Sequence, residues 1–304
     1  MLIKRKLLKN VNNNFSILLF HGVIKDKKYQ IRNYNNKHIL DIKFYKILKY
    51  LKKKGNPISI DEVTYCKKNN IKIPKNSFTI SFDDGFENNF SVAAPILDDL
   101  KIPSTFYFST DFVNNNSMSW IDKVEYCFEE DKKKKFLKLD TLGNYDISSL
   151  EKKIKTLNSI RYQVKKNYNL NIDKFVTNIF NSFERKEIKS SNLDIDKKIS
   201  WKKINLLKRN KLFTLGGHSH IHMPLTYFSK KNAEKQIIKS LNLFKKNVNL
   251  KLKHYSYPEG QKNDYNKKIE SFLKNKGIEC CPTAIDGFNG ANSNLFNLKR
   301  IQVT

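Results

Sequence analysis

No stretch of the 304 residues is apolar over the length needed to cross a membrane. Basic residues (Lys4, Arg5, Lys6, Lys9) precede an apolar run from Phe15 to Phe20 that is too short for the core of a signal peptide. These two absences lead to the expectation of a soluble, cytoplasmic protein. Cysteine is scarce: Cys66, Cys127, Cys280 and Cys281 form no Cys-x-x-Cys pattern, and the adjacent last two suit neither a disulfide nor a paired metal hook. Reduced, buried and inert thiols are expected. No internal repeat is found. Acids are in short supply, 29 against 58 lysines and arginines, for a net charge of +29. A surplus of that size invites a nucleic-acid reading. The lysines, however, are spread along the whole length among asparagines and isoleucines, with no arginine-rich block, which is a compositional bias rather than a binding stripe. No nucleic-acid partner is expected. The charge favours acidic substrates or peripheral contact with an anionic membrane surface.

What the chain does have is core-forming material, 39% hydrophobic residues with 21 Phe and 14 Tyr. Its length suits one large α/β domain or two small ones. Short apolar runs at 15–20, 77–82, 103–109, 212–216, 253–257, 278–281 and 298–303 read as strands. Amphipathic segments at 41–54, 61–68, 88–100, 200–210, 229–247 and 263–276 read as helices, the first with cap chemistry at Asp41 and Gly55. This alternation predicts a parallel sheet, open or closed into a barrel, with functional residues at the carboxyl ends of its strands. Residues 111–200 break the rhythm. They are rich in Lys and Asn, show helical patterns near 119–131, 149–168 and 172–182 with no clear strand, and read as a helical insertion or a solvated excursion.

Two segments carry chemistry. The strand-like Phe78-Thr79-Ile80-Ser81-Phe82 ends on Asp83-Asp84-Gly85. Two adjacent carboxylates repel, and neither has a cationic neighbour in sequence; a metal that takes one and leaves the other free as a base would relieve them. The plain alternative is an Asp-Gly turn. After Leu212–Leu215, Gly216-Gly217 leads into His218-Ser219-His220-Ile221-His222, with Pro224 keeping the segment out of a long helix. His218 and His222, four apart, form a candidate metal hook, and His220 is expected to point away. One carboxylate from 83–84 with these two histidines makes a two-histidine, one-carboxylate set, suited to catalytic zinc or to non-haem iron. Two weaker signals are the Tyr255-Ser256-Tyr257-Pro258-Glu259-Gly260 turn, where a backbone N–H near Glu259 could face a substrate oxygen, and His21 at the end of the first strand.

Together these segments resemble the polysaccharide deacetylase family, the NodB-homology or carbohydrate esterase family 4 group. Ser81-Phe82-Asp83-Asp84-Gly85 resembles its first motif, His218-Ser219-x-x-His222 its second, and Tyr257-Pro258-Glu259-Gly260 a variant of its third. The His21-Gly22 strand end, the Ser200-Trp201 helix start and the Lys299-Arg300-Ile301 ending also fit. The resemblance implies a distorted (β/α) barrel of about seven strands over 1–304 as a single domain, with 111–200 a helical insertion. It implies Asp83 as general base, Asp84, His218 and His222 as ligands of a divalent metal (Zn2+ first, with Co2+, Ni2+, Mn2+ or Fe2+ as alternatives), and Ser219 as a brace for the histidine loop. The chemistry implied is hydrolysis of an N-acetyl amide or an O-acetyl ester, with a metal-activated water and Asp83 taking its proton.

The sequence departs from the family pattern at two places. No arginine stands near the third motif, where many members carry one to orient the base; Ser256 and Tyr257 fill that region. No histidine follows His254, so the usual C-terminal general acid is missing. His21 is the first candidate for that role and His254 the second, with Asp286 a further candidate for support. The expected function is deacetylation of a polysaccharide or glycan precursor, including lipid- or nucleotide-linked sugars, in surface-polysaccharide synthesis. The alternative is a catalytically impaired barrel that binds glycans.

Overall fold

The structure is a computed structural model that describes residues 15–26, 29–140, 142–191 and 193–304. The basic residues Lys4 to Lys9 lie outside the described residues. The central sheet is entirely parallel and runs in the order β10-β9-β6-β5-β1-β11. Its strands are β1 (Ser16–Phe20), β5 (Ser77–Phe82), β6 (Ser104–Phe108), β9 (Phe213–Gly217), β10 (His254–Tyr255) and β11 (Ile301–Gln302), with β4 (Asn56–Pro57) paired to the start of β5. A small parallel pair, β2 (Gly22–Ile24) and β3 (His38–Leu40), follows β1. Helices α1 (Asp41–Lys54), α2 (Ile60–Lys68), α3 (Ala94–Asp99), α8 (Trp201–Arg209), α9 (Lys230–Val248) and α10 (Lys267–Asn275) lie between the strands.

The barrel closes through irregular backbone. Between the edges β10 and β11, Tyr255 N–H donates to Cys280 O, Cys281 N–H to Leu295 O, Thr283 N–H to Leu298 O and Arg300 N–H to Ile285 O. The runs at 278–281 and 298–303 therefore occupy strand positions, but only Ile301–Gln302 forms regular ladder. Alternation along β5 sorts the two faces. Phe78, Ile80 and Phe82 face the helices in the main core with Phe20, Phe44 and Phe106, where the Phe82 and Phe106 rings stack at 5.1 Å. Thr79, Ser81 and Asp83 take the other face, toward the barrel axis. Helix α1 buries Phe44, Leu48 and Leu51 at helical spacing. Its caps differ from expectation. Leu40 is the N-cap, with Asp41 inside the first turn, and Gly55 is extended. Glycine is needed there because a Cβ would sit 2.3 Å from Asn76 O.

Residues 111–200 fold around a second core. After α4 (Thr110–Asn115) come α5 (Trp120–Glu130), α6 (Leu150–Lys166) and α7 (Ile172–Ser182), close to the three helical patterns in the sequence. An antiparallel hairpin, β7 (Phe136–Leu139) with β8 (Gly143–Asp146), is an addition that the sequence did not signal. Val124, Phe128, Leu137, Leu157, Ile160 and Phe180 are among the residues buried together here. The stretch is thus packed structure rather than a solvated excursion.

Candidate active site

Asp83 continues β5 by one residue, its N–H donating to Phe20 O at 3.1 Å, so its side chain enters the barrel mouth. The chain then turns: Asp84 has φ +72° and Gly85 φ +79°. A side chain at Gly85 would be strained by that φ and would meet Phe108 at 2.9 Å. This turn brings two successive carboxylates to one cavity. Both are buried.

Asp83 is gripped by Arg300, whose two terminal nitrogens donate to its two oxygens at 2.8 and 2.7 Å. Arg300 is itself buried and donates further to Thr283 O at 2.5 Å. Burial alone would raise the Asp83 carboxyl, but Arg300 and then His218 hold it below the usual range. The arginine missing near the third motif is thus supplied from the C-terminal end of the chain. The Asp83 oxygens lie beside the groups of the second motif, with His218 Nε2 3.8 Å away.

The histidine loop is anchored at several points. His218 N–H donates to Phe108 O and Ser109 Oγ to His218 O, at 3.0 and 2.8 Å. Ser219, at φ +62°, accepts at Oγ from His222 N–H at 3.1 Å, and its own N–H donates to the buried Tyr255 hydroxyl. Ser219 therefore braces the loop as the resemblance implied. His220 turns away, its Nδ1 2.9 Å from Thr110 Oγ1. His218 Nδ1 lies 3.0 Å from Ser256 O and 2.6 Å from Ser256 Oγ; with the proton on Nδ1 both oxygens can accept from it, and that tautomer leaves a lone pair on Nε2.

Asp84, His218 and His222 form the one group among the described residues whose donor atoms converge as a metal set. Asp84 Oδ1 lies 2.9 Å from His222 Nε2 and 3.6 Å from His218 Nε2, and the two nitrogens are 3.1 Å apart. Those edges bracket the roughly 3.3 Å expected for ligands about 2.0–2.1 Å from a tetrahedral zinc ion. Asp84 Oδ1 is buried and, the His222 imidazole apart, has no hydrogen-bond partner. An orphaned carboxylate oxygen facing two imidazole nitrogens fits a divalent cation. Burial would raise Asp84, but His222 and Lys37 hold it well below its ordinary value. His218 is pushed down by burial, whereas at His222 the neighbouring Asp84 outweighs burial and raises it.

A cavity of about 350 Å³ opens over this cluster. Sequence reasoning missed several of its cations. Lys37 Nζ lies 3.2 Å from Asp84 Oδ2 and 3.3 Å from Asp122 Oδ1 of α5, so it pins the carboxylate oxygen turned away from the histidines. Arg161 and Lys165 of α6 form another wall. Arg161 binds the buried Glu125 at 2.7 Å, and Lys165 binds Glu259 at 2.5 Å. No local signal marks these residues, because each reaches the site through a tertiary contact.

Of the remaining sequence candidates, His21 lines the cavity, is half-buried and leaves its buried Nδ1 without a partner; burial lowers it to about 4, so it is neutral at physiological pH. Glu259 sits on the third-motif turn at φ +59°, with Gly260 at φ +63°, and also lines the cavity. His254 does not reach it. That histidine is the first residue of its strand, pairs with Asp61 at 2.8 Å and lies outside the cavity lining, so it is not positioned as a general acid. Asp286 is exposed and lies outside the cavity lining. Cys127, Cys280 and Cys281 are buried free thiols, while Cys66 is only half-buried.

Comparison with known proteins agrees with this geometry. No curated protein matches the sequence. Among solved structures the chain is similar to the Streptococcus pyogenes deacetylase PplD in complex with acetate, at 14% identity and a TM-score of 0.61, covering 95% of this chain and 92% of that one. It is also similar to IcaB from Ammonifex degensii, at 15% identity and 0.61, covering 96% and 93%. The BpsB deacetylase domain from Bordetella bronchiseptica follows at 12% identity and 0.57, covering 95% and 96%. At such identities these likenesses establish the fold, the NodB-like barrel. The polysaccharide deacetylase sequence profile matches residues 70–280, which include both carboxylates and all three histidines of the loop, and the chain belongs to the polysaccharide deacetylase family.

Proposed function

We propose that this chain is a metal-dependent hydrolase that removes N-acetyl groups from a glycan. Asp83 is its general base, and Asp84, His218 and His222 hold the metal. The observation that carries the reading is the division of labour between two adjacent carboxylates. Asp83 is clamped by Arg300, while Asp84 turns an unsatisfied oxygen toward two imidazole nitrogens. A bound divalent ion would supply Lewis acidity toward the acyl oxygen and a more acidic water.

The residues then do the rest. Asp83, ionised because of Arg300, takes a proton from the attacking water. Having taken it, Asp83 is itself an acid and can return the proton to the leaving nitrogen, so the reaction needs no separate imidazolium. That matters because His21 is neutral; its unpartnered Nδ1 is available to orient substrate. Glu259 lines the same cavity with its carboxylate tied to Lys165, and its backbone N–H is the group assigned in this reading to the developing oxyanion. In this reading the whole chain works as one catalytic unit, and 111–200 is an insertion that walls the cleft. Zinc is the preferred ion for a donor set of two imidazoles and one carboxylate with open positions. Cytoplasmic residence belongs to the same proposal and is checked by fractionation.

Acetate release from N- and O-acetylated glycans, with and without chelator, tests the proposal. Asp83→Asn should lose most turnover while metal analysis still finds the ion bound. A protein that retains metal but gives no chelator-sensitive acetate from any acetylated glycan would be a binder, and the proposal would fall.

A further inference from the structure

The two halves of the metal set stand on separate pieces of chain, Asp84 on the turn after β5 and the histidines on the loop after β9. Segment 111–200 meets both. Its near end, α4, follows the histidine loop: Thr110 N–H donates to Ser219 O at 3.2 Å and Asp111 N–H to His220 O at 2.9 Å. The Phe112 ring lies against the His222 imidazole, with centroids 5.5 Å apart and planes 28° from parallel. Its far end straps the carboxylate turn. Phe86 and Lys198 form an antiparallel bridge, in which Glu87 N–H donates to Lys197 O at 2.8 Å and Ile199 N–H to Gly85 O at 3.0 Å. The two ends also meet each other, since Lys198 N–H donates to Asn116 Oδ1 at 2.8 Å.

Lys198 is the odd residue at this junction. It is 4% exposed, and its Nζ has no hydrogen-bond partner among the described residues. A buried ammonium without such a partner is costly to the fold, so something else must hold it there. Its surroundings are aromatic. Nζ lies 3.3 Å from the centroid of the Phe86 ring and 4.8 Å from that of Phe112, both inside the reach of cation–π attraction, about 6 Å. Burial pulls the amine down to about 8 while Asp122 opposes it, so the cation still prevails at neutral pH. Phe86 belongs to the carboxylate turn, just past Asp84 and Gly85, and Phe112 backs His222. A single cation therefore holds a ring behind each half of the metal set.

We propose that Lys198 is a positioning residue for the metal: by drawing Phe86 and Phe112 together, it keeps Asp84 and His222 at the separation an ion needs. Segment 111–200 then sets metal affinity as well as walling the cleft. The proposal rests on the metal-dependent reading of the site, and its test is arranged so that the two can fail separately.

Zinc affinity of the full chain is measured by competition with a chromophoric chelator, alongside thermal melting of the metal-free protein. Lys198→Met keeps a long side chain and removes the charge. Zinc binding should weaken about tenfold, the lower end of the loss when a group that orients a metal ligand is removed. The metal-free melting temperature should hold or rise, because an apolar chain replaces a buried charge. These two readouts separate the alternatives. A purely structural lysine would lower the melting temperature and leave zinc affinity unchanged. A purely electrostatic one repels the dication, so its loss would tighten zinc. Phe112→Leu should also weaken zinc. Adding Lys198→Met to it should then cost less than Lys198→Met costs alone, because one of the two rings is already gone. A zinc affinity of Lys198→Met within about twofold of the wild type, or tighter, would overturn the proposal while the metal reading stood. A wild type that takes up no zinc would overturn the metal reading and the proposal together.

Discussion

Replacing Arg300 by methionine removes the guanidinium that grips Asp83 and keeps a long apolar side chain in its place. The pair is buried on both sides, with N–O distances of 2.7 and 2.8 Å. Charge centres about 4 Å apart attract by about 4 kcal/mol at an effective dielectric of 20. Removing one partner of such a pair costs roughly 3–5 kcal/mol, because the other charge is left buried and alone. Against a total stability of about 5–15 kcal/mol the variant should fold, with a clearly lower urea midpoint. Asp83→Asn should be costly for the mirror-image reason, since it strands the guanidinium. The double variant strands neither, so it should be more stable than the sum of the single losses predicts, by about 2–3 kcal/mol.

The pH dependence gives a second readout. In the wild type the Asp83 carboxyl lies below its ordinary value, so its contribution is stabilising above the unfolded pKa of about 3.9 and is lost as pH falls through the folded value. In Arg300→Met burial dominates and the folded pKa lies above the unfolded one. The carboxylate then destabilises the variant at neutral pH, and the gap between the two proteins narrows as pH falls toward about 4. If Asp83 is the base as proposed, the acid limb of kcat/KM should move to higher pH, because its carboxyl is harder to ionise. A cycle additive within about 0.5 kcal/mol, together with an unmoved acid limb, would refute the clamp.

Other consequences are open to direct measurement. Chelation, or His222→Ala, should lower the melting temperature as well as abolish turnover, since an ion present at a hundredfold over its Kd contributes about 2.7 kcal/mol to the folded state; an unchanged melting curve would argue against a folded-state metal. Lys165→Ala breaks the exposed tie to Glu259 and should cost less than about 1 kcal/mol of stability while lowering kcat, because the third-motif turn is released; a variant with wild-type kcat would show that the tie is incidental. Glu125, pushed by burial up to about 7 despite Arg161, is protonated in the folded protein and ionised in the unfolded chain between about 4.5 and 7. Stability should therefore fall as pH rises through that window, and Glu125→Gln should flatten the slope. With a net charge of +29, affinity for an acidic glycan should weaken with salt; salt-independent affinity would remove charge from the account of recognition.

The alternation of strands and helices was legible because most of its elements are amphipathic at a regular period and are bounded by turn residues. The β5 and β9 strands, with the Asp-Asp-Gly and Gly-Gly-His ends that carry the site, could be placed to within one residue. The β7–β8 hairpin was not legible, since in Phe136–Leu139 only Leu137 and Leu139 are buried within a lysine-rich run. The partner of Arg300, a residue already noted in the Lys299-Arg300-Ile301 segment, and the presence of Lys37 at the site were hidden for a different reason. Arg300 reaches Asp83 across 217 positions, and no periodicity or spacing records which distant residue a barrel will bring beneath a strand end.

That gap alters the argument for the metal itself. In sequence the two carboxylates had no cationic neighbour, and their repulsion seemed to call for an ion. In the fold each has a cation: Arg300 on Asp83, and Lys37 on Asp84 Oδ2. Their repulsion is therefore relieved in part without a metal, although Lys37 is shared with Asp122. What favours the proposed ion is direction. Asp84 Oδ1 has no hydrogen-bond partner beyond the His222 imidazole, and His218 Nε2 faces His222 Nε2 at 3.1 Å. A protonated His222 could satisfy one of these atoms by a hydrogen bond but not both, since its Nε2 carries a single proton. A cation coordinated by all three satisfies them at once, and Lys37 then serves to hold Asp84 so that the oxygen presented to that cation is always the same one.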